Sequence, residues 1–204
     1  MSVRYKRPFD LGIILLAHIF PPTLLVWLIV WVAIPFVIWL EDRGRVFFRQ
    51  ERVGMDGKIF SVWKFRTMVQ DAEGLGQVWT RDGDERVTRV GRLLRRTGLD
   101  ELPQLLNVIK GEMSLVGPRP LAVEEQTLLE DQITDFRERL QILPGLTGLA
   151  QLYNRDDDSA QKLKYDMIYV KKMGWKLDLK LLFLTALDVI LRRRDVRTGK
   201  SPSK

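Results

Sequence analysis

The chain has 204 residues, 46% of them hydrophobic, and a formal net charge of +7. That length suits one compact domain plus an attachment, and the positive balance favours anionic partners: phosphorylated small molecules, an acidic membrane surface or nucleic acid. There is no cysteine and one histidine, His18, so disulfides, thiol catalysis, a serine-histidine-aspartate triad and a His/Cys metal cluster are excluded.

The first element is an apolar run from Leu11 to Leu40, 30 residues without Asp, Glu, Lys or Arg. A straight span needs only about 20, and a signal-peptide core has about 7–15. Pro21-Pro22 interrupts the run, and each proline removes a backbone donor, so a break or sharp kink is predicted there. Basic residues flank both ends: Arg4, Lys6 and Arg7 before it, Arg43, Arg45, Arg49 and Arg52 after it. Basic flanks belong on the cytoplasmic side. A re-entrant helix, broken at Pro21-Pro22 and returning to the face it entered, satisfies both flanks. An ordinary kinked span misplaces one. Trp27, Trp31 and Trp39 suit an interface better than a buried soluble helix.

Arg45 to Met68 reads as a hairpin, with Val46-Phe47-Phe48 opening one strand, Ile59 to Trp63 in the other, and Asp56-Gly57 as the turn. Asp71 to Asp84, rich in glycine and acid, is expected to be a loop. Arg86 to Arg96 reads as a basic helix stopped by Gly98. Asp100 to Lys110 is expected to be a helix with Leu102, Leu105, Leu106 and Ile109 on one face, Pro103 in its first turn and Gly111 as its stop. A short strand, Met113 to Val116, leads into the stiff loop Gly117-Pro118-Arg119-Pro120. Glu124 to Leu140 is expected to be one charged amphipathic helix. Leu143 to Gln151 is a glycine-bearing loop leading into a strand or turn, and helix resumes after Ser159. Trp175 to Arg194 joins an apolar block to a basic end, which suits either an interfacial helix or a core helix with a solvated end.

Asp100 and Glu101 stand at the start of their helix, where carboxylates commonly serve only as caps. A helix start is also an anion site. Arg95 lies one turn earlier, and Arg119 sits in a proline-stiffened loop. Lys64 and Arg66 are alternate strand residues and so project to one side. Four cations can thus converge on two carboxylates, an arrangement suited to phosphates and a divalent metal. Each cation also has a plain structural alternative, as a solvated strand residue, a lipid-facing charge or an ion-pair partner.

The segments "KFRTM", "LDELPQLLNVIKGEMSLVGPRP" and "LPGLTGLAQ" resemble, in this order, the bacterial sugar transferase family, the small monotopic polyprenyl-phosphate phosphoglycosyl transferases. The resemblance runs from "KRPFD" at Lys6 to the basic end of the last helix. It implies transfer of sugar-1-phosphate from a nucleotide diphosphate sugar, usually a UDP-sugar in this family, to polyprenyl (undecaprenyl) phosphate, with release of nucleoside monophosphate. It implies Asp100 as nucleophile, Glu101 as its partner at a Mg2+ ion, and Lys64, Arg95 and Arg119 around the phosphates. It places the helix break at Pro21-Pro22, where the family frequently has serine-proline. Gln151 and Arg155 are candidates for nucleotide contact, although Asn154 precedes Arg155 where the family often has glycine.

The expected fold is α+β: an N-terminal re-entrant membrane helix, a small β-hairpin or sheet, and several helices, some amphipathic and interfacial. Residues 1-42 form the membrane anchor, 43-195 the catalytic domain and 196-204 a flexible tail. The expected location is the cytoplasmic face of the bacterial inner membrane, with anionic lipids as further partners and no nucleic acid. Two other readings stand beside this one. One is a membrane-anchored glycosyltransferase that releases nucleoside diphosphate. The other is a non-enzymatic basic lipid-binding protein in which Asp100-Glu101 is only a cap.

Overall fold

The computed structural model describes residues 4–72, 84–154 and 158–191. Arg155, the arginines from 192 to 194, the tail and most of the loop expected between Asp71 and Asp84 lie outside the described residues.

Helix α1 (Lys6–Ile19) ends at Phe20, whose extended backbone (φ −67°, ψ 116°) turns the chain before α2 (Pro21–Leu28). Both prolines fall in the first turn of α2, where a missing N–H costs little. The two arms fold toward one another. Trp27 Nε1 donates to the Ala17 carbonyl at 2.6 Å, and the Trp27 ring stacks on His18 at 3.8 Å. In a straight helix, residues ten apart would be separated by about 15 Å along the axis. From Pro21 to Asp42 the chain is one helix, long and apolar enough to cross a membrane by length and composition. Within it a π-helical turn, Ile29–Ala33, precedes α3 (Ile34–Asp42). Pro35 cannot donate to the carbonyl four residues back, and the ladder adapts with an Ile34 N–H bond to the Ile29 carbonyl.

Both ends of this segment dock on the same globular body. At its start, Lys6 is buried and donates to Ser114 Oγ at 3.1 Å and Tyr169 Oη at 2.6 Å, and pairs with Asp178 at 3.0 Å. Arg7 donates to the Val108 and Ile109 carbonyls. At its far end, Asp42 pairs with Arg66, and Glu41 accepts from the backbone N–H of Arg89 at 2.8 Å.

The hairpin pairs β1 (Phe47–Val53) antiparallel with β2 (Ile59–Phe65), Gln50 opposite Val62. Asp56 and Gly57, both at positive φ, make the turn. Helix α4 (Arg89–Thr97) begins later than the sequence suggests, because Thr88 caps it by accepting from Gly91 N–H at 2.9 Å; Gly98 at φ 71° ends it. Gly91 is where α4 meets the strand exit: a Cβ there would lie 2.1 Å from the Thr67 carbonyl oxygen.

The expected helix from Asp100 to Lys110 is two pieces, a 3-10 turn over Leu99–Gln104 and α5 (Leu105–Lys110). Pro103 falls inside the tight turn, and the α-type hydrogen bonding to the carbonyl four residues back begins only after it. Strand β3 (Ser114–Val116) pairs parallel with β4 (Gly145–Thr147). The expected single helix from Glu124 to Leu140 is also divided. Helix α6 (Val123–Gln132) stops at extended Ile133, Asp135 adopts a left-handed conformation (φ 62°), and a 3-10 turn follows over Phe136–Gln141. Helices α7 (Leu149–Tyr153), α8 (Ser159–Lys172) and α9 (Trp175–Ile190) complete the described body.

The main core gathers Ile14, Val62, Leu105, Val108, Met113, Leu115, Val116, Ile142, Tyr169 and Leu181. Helix α9 is two-faced: Asp178 and Leu181 are buried against this core, while Trp175, Leu179 and Phe183, at four-residue spacing, stay exposed. The α+β arrangement of one broken apolar helix, a small antiparallel hairpin and several helices is that of a monotopic membrane protein.

Candidate active site

The 3-10 turn that carries Asp100 and Glu101 packs against β2. Asn107, fully buried, joins strand to helix. Its Oδ1 accepts from Trp63 N–H at 3.0 Å, and its Nδ2 donates to the Ser61 carbonyl at 2.8 Å and to Glu112 Oε2 at 2.7 Å. The side-chain amide thus serves the edge of β2 that β1 leaves open, and it sets Lys64 opposite the turn.

Glu101 is gripped on both oxygens. Lys64 Nζ reaches Oε1 at 3.1 Å, and Arg119 forks onto Oε1 at 2.5 Å and Oε2 at 3.1 Å. Burial alone would raise this carboxyl, but the charges and hydrogen bonds of Arg119 and Lys64 hold it well below the usual carboxylate range. Burial lowers Lys64, opposed by Glu101. Glu101 raises Arg119 above the ordinary guanidinium value.

Asp100 behaves in the opposite way. Burial, then the neighbouring Glu101 charge, push its carboxyl up, opposed by Lys64, Arg95 and Arg119. Its carboxylate makes no hydrogen bond among the described residues. Arg95 Nε donates to Thr67 Oγ1 at 2.8 Å, which anchors the guanidinium, and its charge acts on Asp100.

The loop bearing Arg119 is fastened along its backbone. Gly117 N–H donates to the Thr147 carbonyl and Gly145 N–H to the Pro118 carbonyl, both at 2.8 Å. A Cβ on Gly145 would lie 2.0 Å from Gly117 N, so this approach requires glycine. Arg139, buried, donates to the Arg119 carbonyl at 2.7 Å while Asp166 holds its Nε at 2.8 Å. The Arg119 side chain stays 42% exposed, so a ligand can still meet its free N–H groups.

Lys64, Arg95 and Arg119 thus gather around Asp100 and Glu101 as the sequence suggests. Arg66 does not join them. It lies one residue past the end of β2, and its guanidinium pairs with Asp42 of α3, tethering the apolar helix to the hairpin. Gln151 lies on α7, with Nε2 donating to the Leu146 carbonyl at 3.0 Å. Asn107 and Arg139 were not singled out from the sequence; each is a polar side chain inside a predicted helix, and their partners are far along the chain.

Residues 1–192 match the model of the bacterial sugar transferase family. The chain belongs to that family. It is 42% identical over 160 residues to a UDP-glucose:undecaprenyl-phosphate glucose-1-phosphate transferase of Klebsiella pneumoniae, covering 74% of this chain and 34% of the relative. It is 38% identical over 193 residues to a UDP-N-acetylgalactosamine-undecaprenyl-phosphate N-acetylgalactosaminephosphotransferase of Aeromonas hydrophila, covering 91% and 43%. A further UDP-glucose:undecaprenyl-phosphate glucose-1-phosphate transferase, of Caulobacter vibrioides, is 39% identical over 91% of this chain and 69% of its own length. The chain therefore spans less than half the length of the first two relatives.

Proposed function

We propose that this bacterial sugar transferase moves sugar-1-phosphate from a nucleoside diphosphate sugar, a uridine one by analogy with its relatives, to polyprenyl phosphate, and releases nucleoside monophosphate. The observation that carries this reading is the division between the two carboxylates. Glu101 is neutralised and fixed by Lys64 and Arg119, whereas Asp100 is half-buried, without a hydrogen-bond partner among the described residues, and raised in basicity.

The chemistry is two displacements. An Asp100 oxygen attacks the sugar-bearing phosphorus, the bond from that phosphorus to the bridging oxygen breaks, and nucleoside monophosphate leaves with the electron pair. An oxygen of the acceptor phosphate then attacks the same phosphorus, the bond to Asp100 breaks, and the carboxylate is restored. Both leaving groups depart as anions, so neither step needs a histidine to supply a proton. Lys64, Arg95 and Arg119 offset the charge of the phosphoryl oxygens. The donor set suits magnesium, which binds through one or two carboxylates plus substrate phosphates. Asp100 would hold the ion, with the remaining lone pair of Glu101 Oε2 beside it; when bound it adds neutralising charge at the diphosphate.

Several features support a membrane site on the cytoplasmic side. Both arms of the broken helix return to one body. Exposed apolar residues cover the arms, Leu15, Leu25 and Phe36 among them. Leu93 lies exposed among Arg89, Arg92 and Arg96, and α9 presents Trp175, Leu179 and Phe183 beside Lys176 and Lys180, surfaces suited to anionic lipid.

The test is a screen of nucleotide sugars without acceptor. The expected result is nucleoside monophosphate released once per active site and one phosphosugar mass on the peptide containing Asp100. Release of nucleoside diphosphate would instead establish a glycosyltransferase and overturn the reading.

A further inference from the structure

Glu41 is a carboxylate that neither the motif resemblance nor the division of the acidic pair uses. It stands near the end of α3, on the returning arm of the apolar helix, one residue before the Asp42–Arg66 pair. Its Oε1 accepts from Arg89 N–H at 2.8 Å and from Val90 N–H at 3.4 Å, a longer and weaker bond. These are the first two backbone donors of α4. Thr88 Oγ1 takes the third, from Gly91, and the Thr88 carbonyl takes the fourth, from Arg92 at 3.0 Å. The start of α4 is therefore fully served, and its first two donors are served from another helix. A carboxylate there also meets the positive end of the helix dipole.

Helix α4 carries this hold to the acidic pair. Leu94 of α4 is buried against Val30, Ile34 and Ile38 of the apolar helix, and Val90, Leu99 and Leu102 pack on the same cluster. The returning arm is thus the floor under both α4 and the turn that follows it. From the last turn of α4 the backbone bonds run straight on. Gly98 N–H donates to the Arg95 carbonyl at 3.2 Å, and Glu101 N–H donates to the Gly98 carbonyl at 3.3 Å. Arg95 itself is tied to Thr67 Oγ1 at 2.8 Å. Glu101 has a separate grip on its side chain, from Lys64 and Arg119. The Asp100 carboxylate has no hydrogen bond among the described residues, so its place is set by the backbone that bears it. Helix α4 has nine residues, which is about 14 Å of rod, and a tilt at its start is passed to its end.

Resting on the function proposed above, we infer that Glu41 is a positioning residue for the nucleophile. By holding the start of α4 to the end of the returning arm, it sets the place of the turn that presents Asp100. The membrane helix then aligns the reacting carboxylate as well as anchoring the chain.

The test compares the full chain with Glu41→Ala and Thr88→Ala in lipid nanodiscs. Both substitutions remove a side-chain cap from α4, but only Glu41→Ala cuts its tie to the membrane helix. Hydrogen exchange reads the peptide spanning Leu99–Gln104. Rapid quench reads formation of the Asp100 adduct with the nucleotide sugar selected by the screen above, and calorimetry reads the affinity for uridine monophosphate. Glu41→Ala is expected to speed exchange in that turn and to slow adduct formation about tenfold to a hundredfold, the cost of a reacting group misplaced by about 1 Å. Nucleotide affinity should stay close to wild type, because Lys64 and Arg119 are held from the hairpin and from their own loop. Thr88→Ala should loosen only the first turn of α4 and leave exchange in the Leu99–Gln104 turn and the adduct rate near wild type.

Equal losses in the two variants would reduce Glu41 to an ordinary cap and overturn the inference. So would unchanged exchange and rate in Glu41→Ala, or a loss of nucleotide affinity as large as the loss of rate. Glu41→Gln keeps an acceptor oxygen and should recover most of the rate, whereas Glu41→Asp, one carbon shorter, should not. If Glu41→Ala does not fold, that pair decides, and equal rates in the two would refute the role. A wild type that forms no adduct with any nucleotide sugar sinks the parent reading instead. The exchange pattern still decides the coupling, so the two failures are distinguishable.

Discussion

Asp100 and Glu101 are adjacent, and in water they would titrate almost together. In the fold burial acts on both, but two cations hydrogen-bond to Glu101 and none does to Asp100 among the described residues. Asp100→Asn should abolish adduct formation, because an amide does not attack phosphorus. It should also stabilise the protein. A carboxyl whose folded value is raised binds its proton more tightly in the native state, so ionising it costs stability. The gain should be full above that raised value and should close as pH falls toward the ordinary 3.8. Melting curves at neutral pH should show a rise on the order of a few degrees. Glu101→Gln should do the reverse. The Glu101 carboxyl is depressed, so its stabilisation is present above the ordinary 4.5 and is lost as pH falls through the folded value. The deficit of Glu101→Gln should therefore be largest at neutral pH and vanish in acid; a constant deficit across the range would refute the ion-pair account. Lys64, Arg119 and the acidic pair were readable in the sequence because each lies in a short dense motif. Arg66 was not. Two residues along a strand do share a side, but they lie about 6.6–7 Å apart, and that is enough for Lys64 to meet Glu101 while Arg66 meets Asp42.

Between elements, polar side chains do the joining. Asn107 gives β2 one acceptor, for Trp63 N–H, and one donor, to the Ser61 carbonyl, and its other amide hydrogen goes to Glu112 Oε2. Asn107→Leu would leave Trp63 N–H and the Ser61 carbonyl unpaired in a buried place, at about 1–3 kcal/mol each. Denaturant melts should show a loss of about 2–6 kcal/mol on that basis, and transfer should fall with it because Lys64 loses its register. A loss of stability below about 0.5 kcal/mol, the ordinary surface range, would show that the strand edge is held by other means. The hairpin and α4 were readable from turn residues, basic periodicity and Gly98, all of them local signals. The β3–β4 pairing was not, since a parallel ladder joins segments about 30 residues apart and carries no turn signature. The division of the helix after Gln132 was equally hidden, because Asp135 in a left-handed conformation looks like any other acid in a charged run.

The whole molecule is organised around a helix that leaves the body and comes back. Its start is held by Lys6 and Arg7, its return by Glu41 and Asp42, and its two arms by Trp27 and Thr23 bonded to the Ala17 carbonyl. A straight helix through Pro21-Pro22 would have to abandon one set of these contacts. Two features therefore keep the break: the prolines, which favour it locally, and the docking of Lys6, which holds the first arm in place. In intact spheroplasts, a cysteine introduced by Ser2→Cys and one introduced in the hairpin turn by Asp56→Cys should both resist a membrane-impermeant thiol reagent until lysis; no native cysteine confuses the readout. Pro21→Ala with Pro22→Leu removes the local cause but leaves the Lys6 network, so labelling at position 2 should rise only partly. Adding Lys6→Met removes the second restraint and leaves Asp178 without its cation, and the apolar run of 30 residues then exceeds the roughly 20 needed to span. That triple variant should be labelled from outside, with transfer reduced as the Arg119 loop loses the strand that Lys6 supports. Labelling at position 2 before lysis in the chain carrying Ser2→Cys alone would show an ordinary span and overturn the re-entrant arrangement.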